Sequence, residues 1–208
     1  TRDDLNSVAL WDDYFARSGP EHFGIYLHAK AVEKVGCEWL RRAHIEQQCM
    51  TQWGDISLVR AMLALLEAGC SDPRNTHFMF VSESCVPIRP MRELVRLLEM
   101  DNRSRFVWKA QEACNPEDVE KISRMQEVKK VRAGMGVHHS QWVLLERKLA
   151  RKLVEDDATK LFEKCYAPDE FYFGTMLKLK GCDLEKQVVQ ENVTWTNWEL
   201  GGKHPRMY

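Results

Sequence analysis

Phe78-Met79-Phe80-Val81 is a short apolar run that stops abruptly at Ser82-Glu83-Ser84. It is too short for a helix and rich in strand-forming residues, so it predicts a buried strand that ends in a polar loop. A buried strand needs cover. The flanking sequence supplies it on both sides: Leu58, Val59, Met62, Leu65 and Leu66 recur at helical spacing behind a cap at Asp55 or Ser57, and Pro90 opens a second helix carrying Met91, Leu94, Leu97 and Leu98. With Phe106-Val107-Trp108 as a further strand, the alternation predicts an α/β fold with a mostly parallel central sheet flanked by helices. In such sheets ligands sit beyond the carboxyl ends of the strands, so Glu83 and Ser84 are either a grip for a sugar or nucleotide or simply caps on a strand end.

Length and charge bound the function classes. A chain of 208 residues that is 44% hydrophobic can bury one sizeable core, and we expect a single domain. With 30 basic against 31 acidic side chains the net charge is −1, which gives no electrostatic reason for a nucleic-acid partner. No apolar run reaches the length of a membrane span. The chain opens on Thr1, and we expect it to be a piece of a longer protein whose leader or anchor is not included. The 7 cysteines are scattered, with no Cys-x-x-Cys, and buried thiols are expected at Cys70 and Cys85. Asn102-Arg103-Ser104 and Asn192-Val193-Thr194 are sequons for N-glycosylation.

The rest of the chain adds further elements. Leu5, Leu10, Trp11, Tyr14 and Phe15 predict a helix stopped by Ser18-Gly19-Pro20, followed by a strand from Phe23 to His28. A helix is expected from Pro116 to about Gln126, another through Leu149, Leu153 and Val154, and a strand over Val193 to Trp198. Pro168-Asp169-Glu170 predicts the start of a helix running through Phe171, Phe173, Met176 and Leu177 to Gly181. Carboxylates in a first turn interact favourably with the helix dipole; the same dipole would keep Glu170 ionised, as a general base must be. Near the end, Gly201-Gly202-Lys203-His204-Pro205-Arg206 reads either as an exposed basic terminus or as a loop that could close over a diphosphate.

Phosphate-loop, dinucleotide, serine-hydrolase and zinc-protease signatures are all missing, and no Asp-x-Asp occurs to hold a divalent metal. No metal site or cofactor is expected.

Five blocks carry a resemblance: Trp53-Gly54-Asp55-Ile56-Ser57-Leu58-Val59, Val81-Ser82-Glu83-Ser84-Cys85-Val86-Pro87-Ile88, His139-Ser140-Gln141-Trp142, Pro168-Asp169-Glu170 and Gly201-Gly202-Lys203-His204-Pro205. In this order they resemble the core-2/I-branching β-1,6-N-acetylglucosaminyltransferase family, from about Leu5 to Tyr208. His139-Ser140-Gln141-Trp142 is closer to the plant-type and microbial branches than to the animal enzymes. The resemblance implies a GT-A-like fold, with residues 1–208 as a catalytic domain lacking the first strand and any N-terminal anchor. It also implies metal-independent, inverting transfer from a UDP-sugar, most often UDP-N-acetylglucosamine, to a hydroxyl of a glycan or glycoprotein acceptor. Glu170 takes the position of the catalytic base and Lys203 that of a diphosphate-binding cation; Arg206 and His204 join it on chemical grounds. Glu83 and Ser84 fall near the donor or acceptor sugar. His28 stands where animal members carry an Asp that contacts the uracil, so nucleotide preference is a point of departure. Related members transfer xylose or glucuronic acid, and a non-catalytic carbohydrate-binding relative is the rival from another class. The family implies a Golgi lumen location behind a type II anchor, or the cytoplasm for a viral or bacterial member.

Overall fold

The computed structural model describes residues 5–114 and 134–197. The expected helix from Pro116 to Gln126 therefore lies outside the described residues.

Among the described residues four α-helices precede Ser104. Helix α1 (Val8–Ala16) is followed by a turn at Arg17 and Ser18, and α2 (Glu38–Arg42) is a single short turn of chain. Helix α3 (Ile56–Ser71) starts because the Asp55 carboxylate accepts from the Ser57 amide at 2.8 Å, which satisfies one of the donors a helix N-terminus leaves open. Its apolar stripe, Ile56, Val59, Met62 and Leu66, is buried. Its far end is held by Arg147, whose guanidinium donates to the carbonyls of Cys70, Asp72 and Asn75, each at 2.8 Å. Those are the open acceptors of a helix C-terminus and its exit, met by charge-assisted bonds. Helix α4 (Met91–Met100) follows Pro90 with no fully buried residue, and Leu97, expected to pack, is exposed.

Strand β1 (His77–Met79) is the edge of a four-stranded sheet of order β1-β5-β2-β6, in which β2 is Ser104–Arg105, β5 Leu144–Glu146 and β6 Val188–Val189. Both β1 and β2 pair antiparallel with β5, and β2 pairs parallel with β6. A separate ribbon joins β3 (Trp108–Ala110) to β4 (Val137–His139), also antiparallel. The pairing thus departs from the expected mostly parallel sheet and is mixed. The physical reason is an insertion: β1, β2 and β6 do run the same way, as helix-strand alternation predicts, but β5 arrives later from the opposite direction and lies between β1 and β2. Hydrogen-bonded neighbours are then antiparallel although the β1-α4-β2 connection is a parallel crossover.

Other expected strands shorten for identifiable reasons. Phe106 to Trp108 is split between the two sheets, with Phe106 fully buried at the junction. The Asn192 and Gln190 side chains accept from the Val107 and Trp108 amides at 3.1 and 2.9 Å, taking the place of a backbone ladder. Of the strand expected over Val193 to Trp198, residues 193–197 lie outside any sheet and Trp198 lies outside the described residues. Phe23 to His28 is reduced to one parallel bridge, Leu27 to His44, because the partner segment leaves α2 and bends again at Glu46.

The main core lies between α3, α5 (Arg147–Val154), α6 (Tyr172–Leu179) and the sheet, with Phe106, Leu145, Leu149, Phe162, Phe171 and Phe173 at its centre. Helix α6 is buried nearly all round, as a core helix is; α7 (Leu184–Gln187) leads directly into β6. A satellite cluster gathers Leu27, Ala29, Val35 and Leu40, with Leu5 and Trp39 packed against it. Trp11 ties α1 to the region after β1, its indole donating to the Cys85 carbonyl at 3.0 Å. Among the described residues no disulfide joins any of the seven cysteines; Cys165 and Cys182 are the buried ones, whereas Cys70 and Cys85 are half-buried. Among the described residues no helix is long and apolar enough to cross a membrane.

Candidate active site

Glu170 sits on a turn that is tied down at both ends. The Ala167 amide donates to the Gly54 carbonyl at 3.0 Å, at the entry to α3, and the Glu170 amide donates back to the Ala167 carbonyl at 3.1 Å. Ala167 has φ 51°, the left-handed region, and stands directly before Pro168, which disfavours helical backbone in its predecessor. Strain of this kind costs on the order of 1–3 kcal/mol and persists only where the surroundings enforce it. Pro168–Glu170 then form one turn of 3-10 helix, and α6 starts only after Phe171, whose φ of −131° interrupts the run. The continuous helix expected from Pro168 is therefore two pieces. Glu170 still lies ahead of the N-terminus of α6, where a carboxylate is favoured.

The neighbours of Glu170 come from β4. His138 Nε2 is 3.8 Å from Glu170 Oε2, with the two side chains 25% and 36% exposed, and the His138 ring lies against Phe171 with 5.0 Å between centroids. Lys109 is the cross-strand partner of His138, so both side chains leave the β3-β4 ribbon on one face. On the other face His139 is 2% exposed between Phe106 and Phe173. Its Nδ1 is 2.8 Å from the Ser140 carbonyl and its Nε2 is buried without a hydrogen-bond partner. Burial pushes its pKa down to about 4, so it is neutral at physiological pH. The ribbon can approach this closely because α6 carries Gly174: a Cβ there would lie 2.6 Å from Val137 Cγ1 and 3.1 Å from His139 Cδ2. Thr175 completes the seam, its hydroxyl accepting from the Val137 amide at 3.0 Å.

Asp169 differs from the residue beside it. It is 5% exposed, its Oδ1 has no hydrogen-bond partner, and burial, then the charge of Glu170, raises its pKa to about 6. Two adjacent carboxylates thus occupy different environments, a pattern that separates acid from base.

The other candidate residues sit apart from this turn. Glu83 and Ser84 lie in a turn closed by the Cys85 amide on the Ser82 carbonyl at 3.1 Å; the Ser82 and Ser84 hydroxyls are 2.9 Å apart. This turn follows Phe80, whose ring meets Phe173 of α6 at 5.8 Å, so the end of β1 and the Glu170 turn converge on the start of α6. His28 is 7% exposed and its Nε2 accepts from the Cys49 amide at 3.1 Å, which holds the loop ahead of α3. Burial lowers its pKa and keeps it neutral. Lys203, His204 and Arg206 lie outside the described residues. Two shallow clefts, one along Arg147, Lys148 and Arg151 and one between Tyr26 and Ala64, are not lined by Glu170; its carboxylate opens onto the surface. Among the described residues no group of three or more His, Cys, Asp or Glu is placed to hold a metal ion.

The sequence pointed to Glu170 but not to the burial of Asp169, the strain at Ala167 or the pairing of His138. His138 adjoins a motif block, and only the β3-β4 register shows which of the two adjacent histidines faces the carboxylate.

The family model of the Core-2/I-branching enzymes matches residues 1–208, the whole chain. The chain belongs to the Core-2/I-branching enzyme family. Among curated proteins it is similar to the rice (Oryza sativa subsp. japonica) protein named Glycosyltransferase BC10, at 25% identity over 232 aligned residues, covering 95% of this chain and 55% of the rice protein. This Core-2/I-branching family chain thus spans about half the length of the curated relative it matches.

Proposed function

We propose that this chain is the catalytic domain of a GT-A-like inverting glycosyltransferase that moves N-acetylglucosamine from UDP-N-acetylglucosamine onto a glycan hydroxyl, in a β-1,6 branch. The observation that carries the reading is the half-exposed Glu170 carboxylate, fixed ahead of α6 in a chain that matches the family over its whole length. The name of the rice relative supports the reaction class. In this reading the acceptor oxygen attacks the anomeric carbon in line, its proton passes to Glu170, and the bond from that carbon to the diphosphate oxygen breaks as UDP leaves from the opposite face. Lys203, with His204 and Arg206, neutralises the departing diphosphate, so the reaction runs without a metal. Glu83 and Ser84, past the end of β1, contact a sugar hydroxyl. The family implies that the reaction takes place in the Golgi lumen.

Related members transfer xylose or glucuronic acid, so UDP-xylose and UDP-glucuronic acid belong in the same test. His28, which already accepts from the Cys49 amide where animal members place an Asp against the uracil, bears on the nucleotide and not on the sugar. UDP release is measured with each UDP-sugar and simple glycoside acceptors, in EDTA and again with manganese. Release in EDTA by the wild type, lost in Glu170→Gln with UDP binding retained, is the expected result. Full activity in Glu170→Gln rules out this base, and release only with manganese rules out the metal-independent mechanism.

A further inference from the structure

Two large aromatic rings next to the Glu170 turn are exposed, and they are held there by specific backbone devices. Trp53 is 54% exposed and Tyr166 42%. Their rings meet edge to face, with 5.6 Å between centroids and 77° between planes, and both keep a large share of their area exposed. An exposed aromatic pair is informative where an isolated exposed leucine is not, because leaving that area in water costs free energy that burial would recover. Here the packing enforces exposure. Gly54, at φ 72°, lets the Tyr166 ring lie directly on its backbone; a Cβ at that position would lie 3.1 Å from Tyr166 Cε2. Ala167, at φ 51°, then turns the chain away from Tyr166 toward Pro168. The residues that follow the two rings are joined by the bond from the Ala167 amide to the Gly54 carbonyl, and the Ala167 carbonyl in turn accepts from the Glu170 amide. The rings and the carboxylate are thus fixed to one short hydrogen-bonded frame.

We infer that Trp53 and Tyr166 form a stacking subsite for a pyranose ring of the acceptor glycan, adjoining Glu170. The inference rests on the reading of Glu170 as the base. A pyranose presents flat patches of C–H groups, slightly positive, which match the negative face of an aromatic ring, and hydroxyls at its rim, for which the Tyr166 phenol is a polar handle. The acceptor, not the donor, is the ring assigned to it. A base must touch the acceptor hydroxyl, whereas the nucleotide leaves from the opposite face, and Tyr166 enters the same turn that carries Glu170. Neither ring takes a proton. Their role is to raise the local concentration of the acceptor and to fix its orientation.

The test measures acceptor KM, donor KM and kcat for Trp53→Ala and Tyr166→Ala, with Trp53→Phe and Tyr166→Phe as the variants that keep a ring. Acceptor KM should rise about tenfold in each alanine variant, the size of roughly 1.4 kcal/mol of stacking, with donor KM and UDP release in the absence of acceptor unchanged. The phenylalanine variants should recover most of the loss. A rise in donor KM with acceptor KM unchanged would overturn the assignment to the acceptor, and unchanged values for both would overturn the subsite. Direct binding of methyl glycosides, cellotetraose, xylotetraose and N-acetyllactosamine, followed by tryptophan fluorescence in wild type and Glu170→Gln, separates this inference from the catalytic reading. Quenching that survives Glu170→Gln but is lost in Tyr166→Ala, which keeps the Trp53 indole as reporter, supports the subsite whatever the base is. No saturable binding of any of these glycans to the wild type would overturn it.

Discussion

Replacing Asp169 by Asn should stabilise the protein at neutral pH, and the size of the gain follows from burial. The carboxyl has an unfolded pKa of about 3.9 and a folded value raised to about 6. Between those values the native state holds a proton that the unfolded state has lost, so this group makes stability fall as pH rises from about 4 to 6. The loss approaches about 3 kcal/mol above pH 7, at 1.36 kcal/mol for each unit. His139 acts in the opposite sense. Its pKa, depressed to about 4 by burial, makes the unfolded state the better proton binder between about 4 and 6.5, so its contribution rises with pH by about the same amount. The two slopes nearly cancel in the wild type. Asp72 and Asp101, each held at about 2 chiefly by side-chain bonds from Arg74 and Arg103, titrate below this window. Asp169→Asn keeps the shape of the side chain and removes one slope, so the variant should match the wild type near pH 4, show the uncovered His139 slope, and exceed the wild type by about 3 kcal/mol at pH 7.5. Urea denaturation followed by circular dichroism at pH 4.5, 5.5, 6.5 and 7.5 measures the difference directly. If Asp169→Asn is less stable than the wild type at pH 7.5, the carboxylate is held by a favourable partner and the argument from its burial fails.

Three further perturbations test the seams around the site. Gly174→Ala drives a methyl group against buried Val137 and His139, and should cost about 1–3 kcal/mol in urea denaturation; a neutral effect would mean that β4 is not pressed on α6. Ala167→Gly exchanges a left-handed alanine, costing about 1–2 kcal/mol, for the extra backbone entropy of glycine at about 0.5–1 kcal/mol, so the urea midpoint should rise slightly; a clear fall would mean that the left-handed conformation is wrong. Arg147→Met leaves three carbonyls at the end of α3 without their donor and should cost about 3 kcal/mol or more, with amide exchange accelerated first in the last turn of α3.

Elements set by local chemistry were legible in the sequence. Asp55 announced α3, Pro90 announced α4, and Phe78 to Val81 announced a strand, although it is one residue longer than the pattern at its start and two shorter at its end. The mixed pairing was not legible, because nothing near Leu144 says that it will insert between two strands already joined by α4. The split of Phe106 to Trp108 depends on side chains of Gln190 and Asn192, far along the chain. The candidate site divides in the same way. Pro168-Asp169-Glu170 marked the turn from local pattern and resemblance. Which carboxylate is buried, which histidine faces it and why Tyr166 is held outward all depend on close approaches at Gly54 and Gly174 that only the folded chain reveals. His28, singled out as a polar strand end, proves to be occupied in accepting from the Cys49 amide.

The insertion of β5 constrains the order of assembly. β1 and β2 lie close in sequence and are joined by one helix, yet β1 has no partner strand, and β2 none but the still later β6, until Leu144 to Glu146 has been delivered past the whole intervening stretch. Contacts so distant along the chain carry a loop-closure penalty before they repay it, which slows folding. During synthesis, the edges of β1 and β2 should remain open while the ribosome makes the residues between them and β5, and the nascent chain is then most exposed to mispairing.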